Sequence, residues 1–427
     1  MAFLRNYTLV HRSATGTYKT LINDAYSVRW VLRLNKQGTL TLELPSAFCA
    51  SVVSGYAIDD FDADDQFILY RSFGTGLTHT VVGGAPFHLQ KIEARRRDDG
   101  KRTIYIEAET PLGFLDRRIN PYDADDGNSD FEDNTLACDS LAKFIVINNY
   151  LAGAGSYISD PDPNRNLTTY FQVQPDTASI APVTPYTGSA ENAGILSEIQ
   201  KIADYAASQG LPMFFDVVMV SENPYKLEFR TYANQRGTDR TQATGGTNAF
   251  VVVDNVNVAD YSIVLDWGDS LNRVYVGSSS GTGATKLYET VSDPNLGALL
   301  TVSPFALRES FVSSNSDDPG EMRVEGDVEL QGQRAIFQAN GLLADNLISQ
   351  YGQAFDFGDK VGVYLEGLSF DAYIDSESGT LEGSEKIEVG FSTEATLRKS
   401  SGTVGTIIGQ LGRLRRQVNY LKRKERP

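Results

Sequence analysis

"VRWVLRLNKQGTLTLELP", from Val28 to Pro45, is the stretch on which the fold turns. Leu40, Leu42 and Leu44 alternate with Thr39, Thr41 and Glu43. That period of two puts one face of a strand in a core and the other in water. Asn35 to Gly38 supplies the residue types of a hairpin turn between this strand and the one before it. The pattern continues outward in "FILYR" (Phe67 to Arg71), "FHLQKIEARRR" and "RTIYIEAE", the last two joined through Asp98, Asp99 and Gly100. Residues 1–115 therefore read as consecutive strands, the mark of a β-barrel or sandwich rather than of a βαβ unit.

From about residue 116 to 225 the period changes to that of helices. "NTLACDSLAKFIVINNYL" places Leu141, Phe144 and Ile145 on one face after a candidate cap at Asn134. "SAENAGILSEIQKIADYAASQG" repeats the design with Ile195, Ile199, Ile202, Ala203 and Ala206 before Gly210. Between them Asp160 to Thr187, rich in Pro, Thr, Asn and Asp, reads as a long surface loop. "MFFDVVMV" and "KLEFRTYA" then form a strand pair. Residues 245–400 return to strands, interrupted by one expected helix, "QRAIFQANGLLADNLISQYG". The fold class is α+β, predominantly β.

Composition narrows the function. A chain of 427 residues implies two to four domains. Cys49 and Cys138 are the only cysteines, too few for a disulfide framework or a four-ligand zinc site. His11, His79 and His88 stand at no paired ligand spacing. No apolar run approaches the length of a membrane span, and the N-terminus carries no signal-peptide pattern, so the expectation is a soluble protein made in a cytoplasm. With 55 Asp and Glu against 38 Lys and Arg, the body does not suit a dedicated DNA-binding surface.

Catalytic and metal motifs are weak. Asp356-Phe357-Gly358 lacks the glycine-rich loop and strand lysine of a kinase and reads as a turn before "KVGVYLEG". "GSSSGTGATK", Gly277 to Lys286, lacks the closing Gly-Lys-Ser/Thr of a phosphate loop. Asp60, Asp62 and Asp64 alternate as cation ligands would, but Asp65 replaces the calcium-loop glycine and Arg71 the closing acid. In Asp123, Asp125, Asp126 and Asp130 the glycine, Gly127, is out of register. Both clusters read as solvated acidic loops. Three histidines and no nucleophile elbow leave no serine triad, and carboxylate pairs in so acidic a chain discriminate nothing. No cofactor is called for.

The last residues differ from the rest. In "TVGTIIGQLGRLRRQVNYLKRKERP", Thr403 to Pro427, Val404, Leu411 and Val418 recur every seven residues, as do Ile407, Leu414 and Leu421. These are the a and d positions of three heptads, with Ile408 widening the seam. Arg413, Arg415, Arg416, Lys422, Arg423 and Lys424 make a basic outer face, so the body before it is more acidic than the whole chain's net charge of −17. Residues 401–427 thus form a fourth unit, a basic coiled-coil-like helix. Self-association, partner docking, packing on its own domain and a frayed tail are its open readings.

Several stretches in order resemble the tail-hub, or baseplate hub, proteins of long-tailed (siphovirus-type) bacteriophages. They are "RLNKQGTLTLELP" with "DDQFILYR", "PLGFLDRRINP" with "DSLAKFIVINN", "ILSEIQKIADYAASQGLPMFFDVV" with "LEFRTYANQRGTDRT", and "YGQAFDFGDKVGVYLEG". The resemblance covers roughly residues 20 to 395. It implies two tail-tube-like β-barrel domains (1–115 and 245–400), an α/β insertion (116–244) and a homotrimer. Its six barrels would adapt a hexameric tube to a threefold tip around the DNA exit channel, in a structural virion protein rather than an enzyme. Its partners would be the tail tube and distal tail proteins, with a tip or fibre protein at the C-terminal helix. DNA would pass through without specific binding. The alternatives are a tail-associated glycan hydrolase and a carbohydrate-binding tail protein. Two superposable barrels, rather than one continuous sheet shared by residues 1–115 and 245–400, is the sharpest structural expectation.

Overall fold

The computed structural model describes residues 7–48, 55–72, 79–96, 102–120, 136–151, 163–183, 185–186, 194–241, 251–253, 256–266, 270–278, 288–294, 296–314, 318–332, 336–344, 351–352, 354–382 and 384–393. The first part holds β1 (Tyr7–Arg12), β2 (Tyr18–Ile22), β3 (Ser27–Arg33), β4 (Lys36–Pro45), β5 (Gln66–Ser72), β6 (His79–Val81), β7 (Phe87–Arg96) and β8 (Arg102–Glu109). The alternation in β4 works as expected: Leu40, Leu42 and Leu44 are fully buried with Trp30, Leu32, Ile104 and Ile106. Each such side chain contributes about 1.5–3 kcal/mol. The β3–β4 hairpin turns over Leu34 and Asn35 alone, tighter than the expected span to Gly38. Asn35 adopts φ +57, which asparagine tolerates. Its amide donates to the Met213 carbonyl (2.9 Å) and accepts from the Phe215 N–H (2.9 Å), so the turn is fixed from outside and Gln37 and Gly38 join β4.

The middle part holds α1 (Leu112–Asp116), α2 (Cys138–Tyr150), β9 (Phe171–Val173), α3 (Ile195–Ser208), β10 (Met213–Glu222) and β11 (Tyr225–Ala233). β11 pairs antiparallel with β10 and parallel with β9. Thus the stretch read as an unbroken loop carries a short strand that caps the sheet. In α3 all five expected core residues are buried. The helix ends where Gly210 takes φ +79, with Leu211 N–H on the Ala206 carbonyl (2.9 Å) and Gly210 N–H on that of Ala207 (3.0 Å). That pairing is a Schellman stop, which favours glycine at this position. Asn134 lies outside the described residues. The first turn of α2 is held instead by Cys138 N–H on the Ile180 carbonyl (2.8 Å) and by Asp139 accepting from Ser179 N–H and Ile180 N–H (both 3.0 Å).

The last part holds β12 (Val251–Val253), β13 (Val258–Asp266), β14 (Arg273–Ser278), β15 (Tyr288–Ser292), α4 (Leu296–Val302), β16 (Glu309–Ser314), α5 (Pro319–Gly332), β17 (Ile336–Leu343), β18 (Lys360–Leu365), β19 (Leu368–Glu382) and β20 (Ser384–Ser392). The helix expected at "QRAIFQANGLLADNLISQYG" is not there: over Ile336–Leu343 the chain is β17, paired with β13 and β20. Ala339, Gly341 and Leu343 face in, a period of two that competes with the helical one. Gly341 weakens a helix by about 1 kcal/mol, and in the strand it lets Val258 pack close to the backbone. The helix lies just before, as α5. Asp318 caps it, accepting from Gly320 N–H (2.7 Å) and Glu321 N–H (3.0 Å), and Pro319 takes the first helical position. This helix is sandwiched: Met322 and Leu330 pack with the small β15-β14-β16 sheet, while Val324 joins the core around α3.

The expected pair of separate barrels is also corrected. Strands of both parts form one 14-stranded sheet whose main path runs β13-β17-β20-β19-β3-β4-β8-β7-β5-β1-β2, with no closed barrel among the described residues. The joint is β19, 15 residues long: Ser376 to Leu381 pair with β3 while Lys360 to Leu365 of β18 pair with its first half. A strand that long serves both parts, so residues from 1–115 and 245–400 share backbone hydrogen bonds.

Candidate functional site

The joint between β3 and β19 holds buried charge from both β-rich parts. Trp30 Nε1 donates to Glu377 (2.7 Å) and Tyr351 Oη donates to the other oxygen of the same carboxylate (3.0 Å). Beside them Arg71 donates to the Tyr351 carbonyl (2.8 Å) and to Glu385 (3.0 Å), and Tyr7 Oη donates to Glu385 (2.7 Å). The Arg71 guanidinium stands 5.6 Å from the Tyr7 and Tyr351 ring centres. Burial, with the nearby Asp356 carboxylate second, pushes Glu377 up to about 7. Gly379 faces Trp30 so closely that a Cβ there would overlap the indole.

A second set of ties holds the middle part to the turn before β18. Arg236 donates to Asp216 (2.6 and 2.9 Å) and to the Phe357 carbonyl (3.1 Å). Arg240 donates to Asp359 (2.6 Å), which also accepts from Thr238 N–H (2.6 Å) and Asp356 N–H (3.0 Å). Asp356-Phe357-Gly358 is thus the turn the sequence indicates, with Gly358 at φ +89. These contacts offer no exposed nucleophile; their chemistry is that of a stiff joint.

The first acidic cluster is neutralised from within. Lys19 Nζ reaches Asp62 (2.7 Å) and Asp65 (2.8 Å), His11 pairs with Asp65 (2.8 Å), and Arg117 with Asp64 (2.6 Å), while Asp60 accepts from Ala57 N–H (2.7 Å). Although burial opposes it, hydrogen bonds from Asp62 N–H, Lys19 and His11 hold Asp65 below the usual carboxylate range. His11 and Lys19 are the residues sequence spacing could not supply, since 43 to 54 positions separate them from these carboxylates. Among the described residues no three His, Cys, Asp or Glu side chains come together as a metal site. His88 is fully enclosed, with burial taking it down to about 4, and the buried Cys138 thiol is pushed up to about 12.

The seam residues Val404, Ile407, Ile408, Leu411, Leu414, Val418 and Leu421, the basic face of Arg413, Arg415, Arg416, Lys422, Arg423 and Lys424, and the cluster at Asp123 to Asp130 all lie outside the described residues. Exposed apolar side chains among the described residues include Tyr18 and Leu21 of β2 and Leu299, Phe305, Leu307 and Phe311 from α4 to β16. No described helix is long and apolar enough to cross a membrane.

No protein-family model and no curated protein matches the chain by sequence. Solved structures do resemble it. The 43 kDa tail protein of prophage MuSo2 from Shewanella oneidensis aligns over 91% of this chain and 99% of its own, at 12% identity and a TM-score of 0.56. The tail protein from Neisseria meningitidis MC58 aligns over 93% and 99%, at 10% identity and a TM-score of 0.53. The chain shares the fold of these tail proteins over about nine-tenths of its length.

Proposed function

We propose that the chain is a structural component of a phage-type tail, a hub at the distal end of the tube. The observation that carries this is the likeness to two tail proteins along nearly the whole of both chains, at identities too low for more than shared fold. The joint supports it, because burying paired charges between the two β-rich parts suits a rigid ring segment better than a moving catalytic cleft. Three copies would make a ring between the sixfold tube and a threefold tip, with the two β-rich parts of each copy playing the tube-like role. The sheet edges at β2 and β13 are where neighbours would meet, as unpaired strand edges invite pairing. The acidic body would line a channel from which exiting DNA is repelled. The C-terminal heptads from Val404 to Leu421 would hold a tip or fibre protein. Such a protein would be made in a bacterial host and end in the virion.

The test is the mass of the full chain in solution. Three chains per particle is the expected result, and a single chain at every concentration speaks against the ring. Degradation of peptidoglycan or host polysaccharide, lost on substitution of one carboxylate, would replace the structural reading by the hydrolase.

A further inference from the structure

The β3–β4 hairpin ends on two cations that the described fold leaves without partners. Arg33 and Lys36 stand directly opposite each other across the two-residue turn. Like charges so placed destabilise an antiparallel pair. Both are only partly exposed, and neither side chain makes a hydrogen bond or salt bridge among the described residues. Two carboxylates lie in electrostatic range, Asp204 from α3 and Asp375 from β19. The Asp375 carboxylate accepts from the Ser376 and Ser392 hydroxyls, and the Lys36 charge also favours its ionised form. Burial holds Arg33 below its ordinary pKa; burial and then Arg33 itself do the same to Lys36. The same opening is lined by Asn35, Thr110, Asp216 and Arg236. Arg236 has its carboxylate, Asp216, at 2.6 Å, and the other two have none at ion-pair distance among the described residues.

We infer that Arg33 and Lys36 form a carboxylate-binding notch whose occupant is an Asp or Glu side chain of a second copy of this chain. A guanidinium and an ammonium on one side of an opening suit an oxyanion, and Arg favours the planar carboxylate. The chain itself supplies the charge complement, with 55 acidic against 38 basic residues. A DNA backbone fits less well, because the acidic surroundings repel a run of phosphates that two cations cannot offset. The notch rests on the self-assembling reading proposed above and adds to it a contact point.

The experiment compares the full chain with its Arg33→Gln/Lys36→Gln double variant by sedimentation over a range of concentration and salt, alongside thermal unfolding at a dilution where both are single chains, so that lost association does not itself lower the midpoint. The expected result is association weakened about tenfold in the variant, with an unfolding midpoint unchanged or raised because the opposed cations are gone. Wild-type association should also weaken as salt rises. Equal association of the two proteins overturns the notch and leaves the assembly reading standing. A lower midpoint in the variant assigns the pair to the fold and also overturns it. A wild type that stays a single chain throughout overturns both. Salt-sensitive binding of a short DNA duplex that the variant loses, or inorganic phosphate that raises the wild-type midpoint without changing association, assigns the cations to another anion and overturns the second-copy occupant.

Discussion

Along β3, two neighbouring regions treat charge in opposite ways. On its buried side Trp30 meets Glu377 of β19, and Tyr351, Arg71, Glu385 and Tyr7 complete a network in which each of the two carboxylates receives at least two donors. At its hairpin end Arg33 and Lys36 face each other, with Asp204 and Asp375 in electrostatic range but no carboxylate at ion-pair distance among the described residues. The difference teaches what each region is for. A buried acceptor that keeps its donors fixes two parts of one chain together, because losing a donor leaves the full desolvation cost in place. Cations left opposed at an opening gain more from an anion brought from outside.

The comparison breaks most visibly at Trp30. Trp30→Ala should cost about 5 kcal/mol, from the cavity left by the indole and from the orphaned Glu377 oxygen; denaturant unfolding with a loss below about 1 kcal/mol would mean that the joint is not a core element. Arg71→Ala comes next, at about 3–4 kcal/mol, since it leaves Glu385 charged and poorly solvated.

The third test is pH. Glu377 titrates near 7 in the fold against a reference of 4.5, so the folded state keeps its proton longer. Its contribution is therefore fully present below pH 4.5 and is lost as pH rises to about 7, up to about 3 kcal/mol. His88, held neutral down to about 4 against 6.5, acts with the opposite sign, adding stability as pH rises through that window. Together they should nearly cancel between pH 4.5 and 6.5. Relative to wild type, Glu377→Gln should gain stability as pH climbs from 4.5 to 7. Parallel pH–stability curves for the two proteins would contradict this. The smallest effect belongs to Arg29→Ala. Arg29 bridges the same two strands through Glu382 at 2.6 Å, but both side chains are more than half exposed, so the loss should stay within about 1 kcal/mol.

The strands around Val28 to Pro45 and the helix at Ile195 were legible because each buries one face, and one-sided burial writes a clean period into the sequence; the helix at Leu141 is buried nearly all round, and Phe144, expected in its core face, is only partly buried. α5 was not legible. Met322 and Leu330 face one core and Val324 another, so no single apolar stripe forms, although the run Asp318, Pro319, Gly320, Glu321 carries the cap that could have found it. The misplaced helix at Gln333 to Gly352 shows the converse error, a short apolar run readable at either period until β13 and β20 pair with it. Among candidate sites, the acidic cluster at Asp60 to Asp65 was visible but not its neutralisation by His11, Lys19 and Arg117.

The sequence by itself determined which segments alternate, where the helical middle begins, and that the chain is acidic with a basic heptad stretch from Thr403 to Pro427. These follow from local spacing and from counts, which need no partner. Only the tertiary structure decided that β19 pairs with β3 some 350 residues away, that Glu377 lies under Trp30, and that Arg33 and Lys36 stand opposed with no carboxylate at ion-pair distance among the described residues. The physical reason is that strand pairing and charge compensation are set by residues brought close in space, and a period of two in each strand is satisfied equally well by many possible neighbours.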